Sequence, residues 1–251
     1  MRAGRPVSPV STEPGSGPSE PLILAAPGRD AAAAAVVAAL TAVALLVAAD
    51  RGALAHIQHV DVSWLRLMVS WRDGPVTVIA KVFNVLGLVY VTLPVRIAVA
   101  GYLAVRRQWW HCAVFAAAVV LSEILIGPLK GVYDRARPPG SLVATSGASF
   151  PSGHSIAASV TVLAAVIALV PPGRGRIAWG LAGAAFAVLM ALSRAYLAAH
   201  WLSDAIAGLL LGTACALVAA TALDQAQRRW RRRRALRAGS SGAAVRPAER
   251  P

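Results

Sequence analysis

The sequence has few charged residues and few of the residues that form disulfides or metal sites. Asp, Glu, Lys and Arg make up 14% of the 251 residues, hydrophobic residues make up 57%, and the mean hydropathy is +0.61. Soluble domains are more polar than this, so the composition indicates a membrane protein. Cys112 and Cys215 lie in apolar stretches without a CxxC pattern, which indicates neither a disulfide nor a metal site. No glycine-rich nucleotide loop, HExxH motif or internal repeat occurs.

What the sequence does contain is a series of apolar stretches, each near the ~20 residues that a helix needs to cross a bilayer. The six stretches are 31–49, one within 76–105, 111–129, 155–170, 177–192 and 201–223. They predict an all-α, polytopic integral membrane protein with six transmembrane helices in a bundle. Pro94 is expected to kink the second span.

The positions of the basic residues predict the orientation in the cell membrane. If both termini are cytoplasmic, the tails and the turns around Arg106 and Arg174 hold 16 of the 25 Lys and Arg, and the outer loops hold about 8. Residues 1–30, rich in Pro, Gly and Ser, are expected to be a disordered cytoplasmic tail. Residues 31–225 then form the transmembrane domain. Residues 226–251 form a basic cytoplasmic tail, whose Arg cluster anchors the topology or binds anionic lipid head groups.

Polar residues that lipid does not tolerate fall into three clusters. In the first, Lys130 and Arg137 are about two helical turns apart, so both cations lie on one face if the helix continues. The second is "PSGH" at 151–154, where a Ser-Gly pair at a helix start exposes backbone N–H groups to an anion. Both clusters belong to the same outer loop.

The third cluster contains Arg194, His200 and Asp204. Asp204 follows His200 by one helical turn, so it can bond one imidazole nitrogen and leave the other nucleophilic. Two spans separate this cluster from the second, so it returns to the same side of the membrane. Three cations and free N–H groups at one place suit a phosphoryl group, and two histidines suit a nucleophile and a general acid. These residues predict phosphate-ester or diphosphate hydrolysis through a phosphohistidine, with no metal or cofactor.

The three clusters together resemble the signature of the type 2 phosphatidic acid phosphatase (PAP2) family, which shares its site with vanadium haloperoxidases. The matching patterns are K-x6-RP at Lys130 to Pro138, PSGH at 151–154 and SR-x5-H-x3-D at Ser193 to Asp204. The resemblance covers residues 30–225. It implies a helical PAP2/haloperoxidase-like core with the site at the outer face of the membrane.

The resemblance also implies a role for each matching residue. His154 resembles the general acid of the family, His200 its nucleophile and Asp204 the residue that orients the nucleophile. The phosphoryl oxygens would be bound by five residues, namely Lys130, Arg137, Arg194, Ser152 and Gly153.

Other polar residues near the spans have less specific interpretations. Asp134 and Arg135 are expected to be interfacial charges that extend towards water. Glu123 either pairs with a cation of the site or bonds to another helix, and Arg96 pairs with a carboxylate or lines a head-group cleft. Residues 56–71 are expected to form a helix at the outer interface, with Trp64, Met68 and Trp71 on one face and with histidines that are not catalytic.

The favoured substrate is a phosphate monoester or diphosphate on a membrane lipid, because a site flanked by spans admits a head group from the bilayer. Undecaprenyl diphosphate, another polyprenyl phosphate, phosphatidate and phosphatidylglycerol phosphate all remain compatible. Three other functions stay open: a haloperoxidase, an anion or lipid transporter, and a scaffold without catalysis. Six spans argue against the first, and transport needs no nucleophile.

Overall fold

A computed structural model describes residues 20–243, and this part of the chain is helical, without a strand. Its helices are α1 Pro27–Ala49, α2 Arg51–Ser70, α3 Gly74–Leu86, α4 Val89–Val105, α5 Trp109–Tyr133, α6 Gly153–Leu169, α7 Arg174–Tyr196 and α8 Leu202–Ala243. The prediction of an all-α, polytopic membrane protein is confirmed.

All six apolar stretches of the sequence are helical, but they differ in how clearly they span a membrane. Helices α1, α5, α7 and α8 are long and apolar enough to cross one, and α3 and α4 form a fifth candidate span that is bent by 53°. Helix α6 has 17 residues, about the shortest length that crosses the hydrocarbon core. Length and composition therefore support four or five spans, with α6 as a shorter apolar helix, so the number six is not reproduced in full.

The second span is broken at Gly87 and Leu88, a position that the sequence does not predict, and the kink expected at Pro94 stays a prediction. Helix α3 ends where the N–H of Gly87 bonds the carbonyl of Phe83, and α4 continues through Pro94. Glycine is the weakest helix former apart from proline. The ring of His154 also occupies the space that a side chain at position 87 would need, so tertiary packing sets the position of the bend.

The centre of the bundle is built by α6 and α8, which pack against each other and against α5 and α7. Phe115, Ile156, Val160 and Leu211 are buried in the core between these helices. Gly208 permits a close approach of the two helices, since a Cβ there would lie 2.5 Å from the carbonyl oxygen of Ser152. The start of α6 is thereby held against the first turns of α8, which brings two of the three polar clusters together.

The segment before α1 packs against the rest of the protein. The carboxylate of Glu20 accepts hydrogen bonds from the backbone N–H groups of Trp110 and His111, and from Nδ1 of His111 at 2.7 Å. The N–H of Leu24 donates to Asp224 of α8. Residues 20–30 therefore differ from the expected disordered tail, because they satisfy polar groups at helix ends. Residues 1–19 of that tail lie outside the described residues.

Helix α8 continues past residue 225 to Ala243, so the first part of the basic tail is helical. Arg228 bonds Asp224 at 2.6 Å, and Arg231 donates to the carbonyl of Glu20. Arg176, in the first turn of α7, donates to the carbonyl of Ile23. Both ends of the described chain thus meet the two basic turns at one end of the bundle. Residues 244–251 lie outside the described residues.

Helix α2 forms as predicted, and Trp64, Met68 and Trp71 line one groove beside it. Its orientation along the membrane surface stays a prediction. The position of Asp61 on this helix matters for the site, because Asp61 is buried, with 2% of its surface exposed.

Candidate active site

Lys130 and Arg137, the two cations of the first motif, converge on the loop before α6. Nζ of Lys130 donates to the carbonyl of Ala148 at 2.6 Å, and Nη2 of Arg137 reaches the same oxygen at 3.3 Å. Arg137 also donates to the carbonyls of Ser146 at 2.7 Å and Gly147 at 2.9 Å. Backbone oxygens therefore hold both positive charges in one place without neutralising either of them.

His200, in the turn between α7 and α8, has two ring nitrogens in different surroundings. Nδ1 lies 2.7 Å from the carbonyl oxygen of Ser149, and Nε2 lies 3.3 Å from Nη1 of Arg137. A carbonyl only accepts and a guanidinium only donates, so Nδ1 carries the hydrogen and Nε2 keeps its lone pair. Burial lowers the pKa of His200 to about 4. The imidazole is thus neutral at neutral pH, and the lone pair of Nε2 lies beside the guanidinium of Arg137.

Asp204 lies close to His200 but does not bond it as the sequence predicts. Nδ1 of His200 is 3.8 Å from Oδ2 of Asp204, which is too long for a hydrogen bond. Oδ2 instead accepts from the hydroxyl of Ser149 at 2.5 Å and from the N–H of Trp201 at 3.0 Å. Asp204 therefore holds Ser149, whose carbonyl holds the ring, and it also supplies a negative charge near the imidazole.

Arg135 is buried in the centre of a polar network, so its expected role as an interfacial charge was wrong. Nη1 bonds Asp204 at 2.5 Å and Ser203 at 2.7 Å, and Nη2 bonds Asp61 and Gln58, each at 2.7 Å. The side chains of Asp61 and Asp204 are 1% and 0% exposed. One guanidinium therefore links two buried carboxylates and joins α2 to the start of α8.

A signal for this network exists in the sequence. Asp61 precedes Trp64 by three residues and Met68 by seven, which places a carboxylate on the apolar face of an amphipathic helix. A buried carboxylate needs a cation. The signal names no partner, however, because Arg135 is 74 residues away along the chain.

The second motif forms the start of α6. Ser152 is the N-cap residue, its N–H donates to the carbonyl of Asp204 at 3.0 Å, and its hydroxyl accepts from Ser155 at 3.0 Å. Ser152 is fully buried, so its polar atoms serve the junction of α6 with α8. Gly153 begins the helix, and Nε2 of His154 lies 3.2 Å from the carbonyl oxygen of Asn84 in α3.

Arg194, the cation of the third motif, is buried near the end of α7, with 2% of its surface exposed. Its Nη1 donates to the side-chain oxygen of Asn84, and its own carbonyl accepts from the N–H of His200 at 3.3 Å. The sequence gives no signal that distinguishes Asn84 from Thr77 and Lys81, the other polar residues of the same apolar helix. The structure thus brings all three motifs to one end of the bundle and adds residues of α2 and α3 to them.

Glu123 pairs with Arg96 of α4 at 2.7 Å, and Arg96 also donates to Thr161 at 2.9 Å. Of the two expectations for Glu123, the bond to another helix is confirmed.

Among the described residues, no group of three or more His, Cys, Asp or Glu could hold a metal ion. The expected independence from metals stays a prediction.

An apolar groove of 690 Å³ lies between α2, α3 and α7. Ser193, next to Arg194 in the chain, is one of its lining residues. The larger side chains that line it are Trp64, Met68, Trp71, Phe83, Leu192 and Tyr196. Arg72 and Asp73 also line the groove, which is therefore a mostly apolar surface that reaches the neighbour of Arg194 in the chain.

Comparison with solved structures identifies similar folds. A transmembrane PAP2-type phosphatidylglycerolphosphate phosphatase from Bacillus subtilis is 21% identical, with a TM-score of 0.66 over 74% of this chain and 93% of that one. LpxE from Aquifex aeolicus is 22% identical, with a TM-score of 0.53 over 63% of this chain and 93% of that one. At these identities the likeness concerns the fold. No curated protein matches the chain at a significant level.

The family model of the PAP2 superfamily matches residues 109–228. This segment begins with α5, ends within α8 and contains all three motifs. Over these residues the chain matches the PAP2 superfamily, and its fold is similar to that of a solved PAP2-type phosphatase.

Proposed function

We propose that this protein is a phosphatase that removes phosphate from a membrane lipid through a phosphohistidine formed on His200. The observation that carries the proposal is the geometry of His200. Its Nδ1 is held by a carbonyl at 2.7 Å, and the lone pair of Nε2 lies 3.3 Å from a guanidinium nitrogen of Arg137. A phosphoryl oxygen bound by Arg137 would bring phosphorus next to this lone pair.

The reaction takes place in two steps. In the first, Nε2 of His200 attacks phosphorus, the bond from phosphorus to the lipid oxygen breaks, and protonated His154 gives its proton to that oxygen. In the second, water attacks the phosphohistidine and gives a proton to His154, which releases phosphate and restores both rings. Lys130, Arg137 and Arg194 stabilise the charge on the phosphoryl oxygens in both steps.

The smaller residues of the motifs have supporting roles in this proposal. Gly153 binds a phosphoryl oxygen through its N–H at the start of α6, where the helix dipole favours an anion. Ser152 supports that N–H by capping the helix. Asp204 stabilises the charge that develops on His200, and it acts on the ring through Ser149 rather than by a direct hydrogen bond.

A lipid substrate is supported by the apolar groove beside Ser193, which can hold a hydrocarbon chain while the head group reaches the cations. The Bacillus subtilis protein of similar fold is a phosphatidylglycerolphosphate phosphatase. We therefore place glycerolipid phosphates and polyprenyl phosphates in one panel of substrates, with undecaprenyl diphosphate as the diphosphate member. A transporter or scaffold would not need a neutral imidazole beside a cation.

The site is proposed to face the extracytoplasmic side, with both termini in the cytoplasm. Both ends of the described chain meet the turns that contain Arg106 and Arg174 at one end of the bundle, and the three motifs lie at the other. Positive charge favours the cytoplasmic side. The Arg cluster of α8 would then lie near anionic head groups of the inner leaflet.

The test is phosphate release by the purified protein from that panel of lipid phosphates, in detergent with EDTA present. Release that persists in EDTA and is inhibited by vanadate is expected, because vanadate can adopt the five-coordinate geometry of the transition state. His200→Asn is the matched control for contaminating phosphatases. Release that requires added magnesium, or that His200→Asn does not reduce, would contradict the proposal.

A further inference from the structure

The break between α3 and α4 leaves one backbone oxygen without its usual partner. In a continuous helix, the carbonyl of Asn84 would accept from the N–H of Leu88, four residues later. Here the N–H of Leu88 bonds the carbonyl of Val85 at 3.1 Å instead. The carbonyl of Asn84 is therefore available to Nε2 of His154, which lies 3.2 Å away.

The side chain of the same residue contacts Arg194. Nη1 of Arg194 donates to Oδ1 of Asn84, which is the hydrogen-bond partner of this guanidinium among the described residues. Nε of Arg194 is buried without a partner. A neutral acceptor orients the guanidinium and leaves its positive charge available to an anion, whereas a carboxylate would neutralise that charge.

Gly87 supplies the space that the His154 ring needs. A Cβ at position 87 would lie 2.2 Å from Cδ2 and 2.9 Å from Cγ of His154. Real Cβ atoms do not approach other atoms so closely, so any side chain at this position would push the ring away from α3. The break thus serves His154 twice, through a carbonyl at position 84 and through a space at position 87.

We infer that the broken span is a fourth part of the active site, in which Asn84 and Gly87 are positioning residues for Arg194 and His154. Both residues precede residues 109–228, the segment that the family model matches. This inference depends on the proposed phosphatase activity. It adds that one residue, Asn84, holds the phosphate-binding arginine with its side chain and the general acid with its backbone.

The backbone contact also assigns the ring nitrogens of His154. Because a carbonyl only accepts, Nε2 donates to Asn84 and carries a hydrogen. Nδ1 is then the nitrogen that passes a proton to the leaving oxygen. The carbonyl stabilises the protonated ring in the way that an orienting carboxylate does in a catalytic triad, and it remains in place when the side chain of Asn84 is replaced.

Two substitutions separate the two contacts. Asn84→Leu removes the acceptor of Arg194 and keeps the backbone carbonyl, so binding of the phosphoryl group should weaken. We expect kcat/KM for the best lipid substrate to fall about 10-fold or more, and the inhibition constant of vanadate to rise by a similar factor, since hydrogen bonds to charged groups are worth about that much. Gly87→Ala displaces His154 instead, so kcat should fall by about 10²-fold with a smaller change in vanadate inhibition.

Gly101→Ala is the matched control, because Gly101 lies in α4 of the same broken span and an added Cβ there would meet no atom within 4 Å. It should retain the activity of the wild type. Folding is checked by thermal unfolding in detergent. If Asn84→Leu does not fold, Asn84→Ser replaces it, since the serine side chain is too short to reach Arg194.

The outcomes distinguish this inference from the function on which it depends. If the wild type releases no phosphate from any lipid of the panel, the proposed function fails. If the wild type is active and the folded variants at 84 and 87 match Gly101→Ala, the positioning roles are refuted. Equal losses in kcat and in vanadate affinity for both variants would indicate a general structural role for the break and would also overturn the inference.

Discussion

The network around Arg135 allows a quantitative test of how α2 is attached to the site. In Arg135→Met, an uncharged side chain of similar volume replaces that of arginine, so little volume is lost. The substitution removes four hydrogen bonds and leaves Asp61 and Asp204 as two buried carboxylates without their shared cation. Both carboxylates are nearly or fully inaccessible, so water cannot replace the lost partner.

Removing one partner of a buried ion pair costs about 3–5 kcal/mol, because the remaining charge stays desolvated. For a protein of this size, each kcal/mol lowers the Tm by about 2–4 °C. We therefore expect the Tm of Arg135→Met in detergent to fall by about 10 °C. In the double variant Arg135→Met/Asp61→Leu, only the carboxylate of Asp204 is left without its cation. Its loss of unfolding free energy should therefore be smaller than the sum of the losses in the two single variants by about 1–3 kcal/mol.

The assay is thermal unfolding of the purified variants at neutral pH, followed by circular dichroism. Arg66→Met is the matched control, because Arg66 is an exposed arginine on α2, and its Tm should stay within about 2 °C of the wild type. Phosphatase activity should also fall in Arg135→Met, since Asp204 loses the group that holds Oδ1. A Tm of Arg135→Met equal to that of Arg66→Met, or strictly additive losses in the double variant, would refute the reasoning.

Three further predictions concern the site. His200→Ala should lose several orders of magnitude of activity on every substrate. His154→Ala should lose about 10² to 10⁴-fold on a lipid monophosphate and much less on p-nitrophenyl phosphate, whose leaving group needs no proton. If the aryl leaving group restores the activity of His200→Ala instead, the two roles are reversed. In a background without native cysteines, Ser146→Cys should react with a membrane-impermeant thiol reagent in intact cells and Gly175→Cys should not, and the opposite labelling would contradict the topology. Burial lowers the pKa of His200 from 6.5 to about 4, so the unfolded chain binds this proton more readily than the folded one. The free energy of unfolding should therefore decrease as the pH falls from about 6.5 to about 4. An equal decrease in His200→Asn would show that another group is responsible.

Local patterns in the sequence were sufficient to predict the membrane helices and the three motifs. Each apolar stretch must satisfy its own backbone in lipid, and an α-helix does so without any partner. The residues of each motif are close along the chain, so helical periodicity relates them to one another. The order of spans and turns then places all three motifs at one end of the bundle, in agreement with the contacts of Arg137 with His200 and of Ser152 with Asp204.

Contacts between distant segments could not be predicted in this way. The spacing of His200 and Asp204 suggests a direct hydrogen bond, but the loop before α6 inserts Ser149 between them. Arg135 resembles an interfacial charge until α2 brings Asp61 to within 2.7 Å of it. Such partners depend on how the helices pack against each other, and a single sequence does not show which residues of different helices come into contact.

The bend in the second span shows the same division between local and tertiary causes. Proline removes one backbone hydrogen bond whatever surrounds it, so the sequence indicates a kink at Pro94. The break observed at Gly87 has no such local signal: the ring of His154 fills the space beside that glycine, and its Nε2 lies 3.2 Å from the carbonyl oxygen of Asn84. From the sequence alone we could predict the apolar helices and the residues that are proposed to carry the chemistry. The tertiary structure decided which neighbours hold them, because those neighbours come from α2 and α3, far from the motifs along the chain.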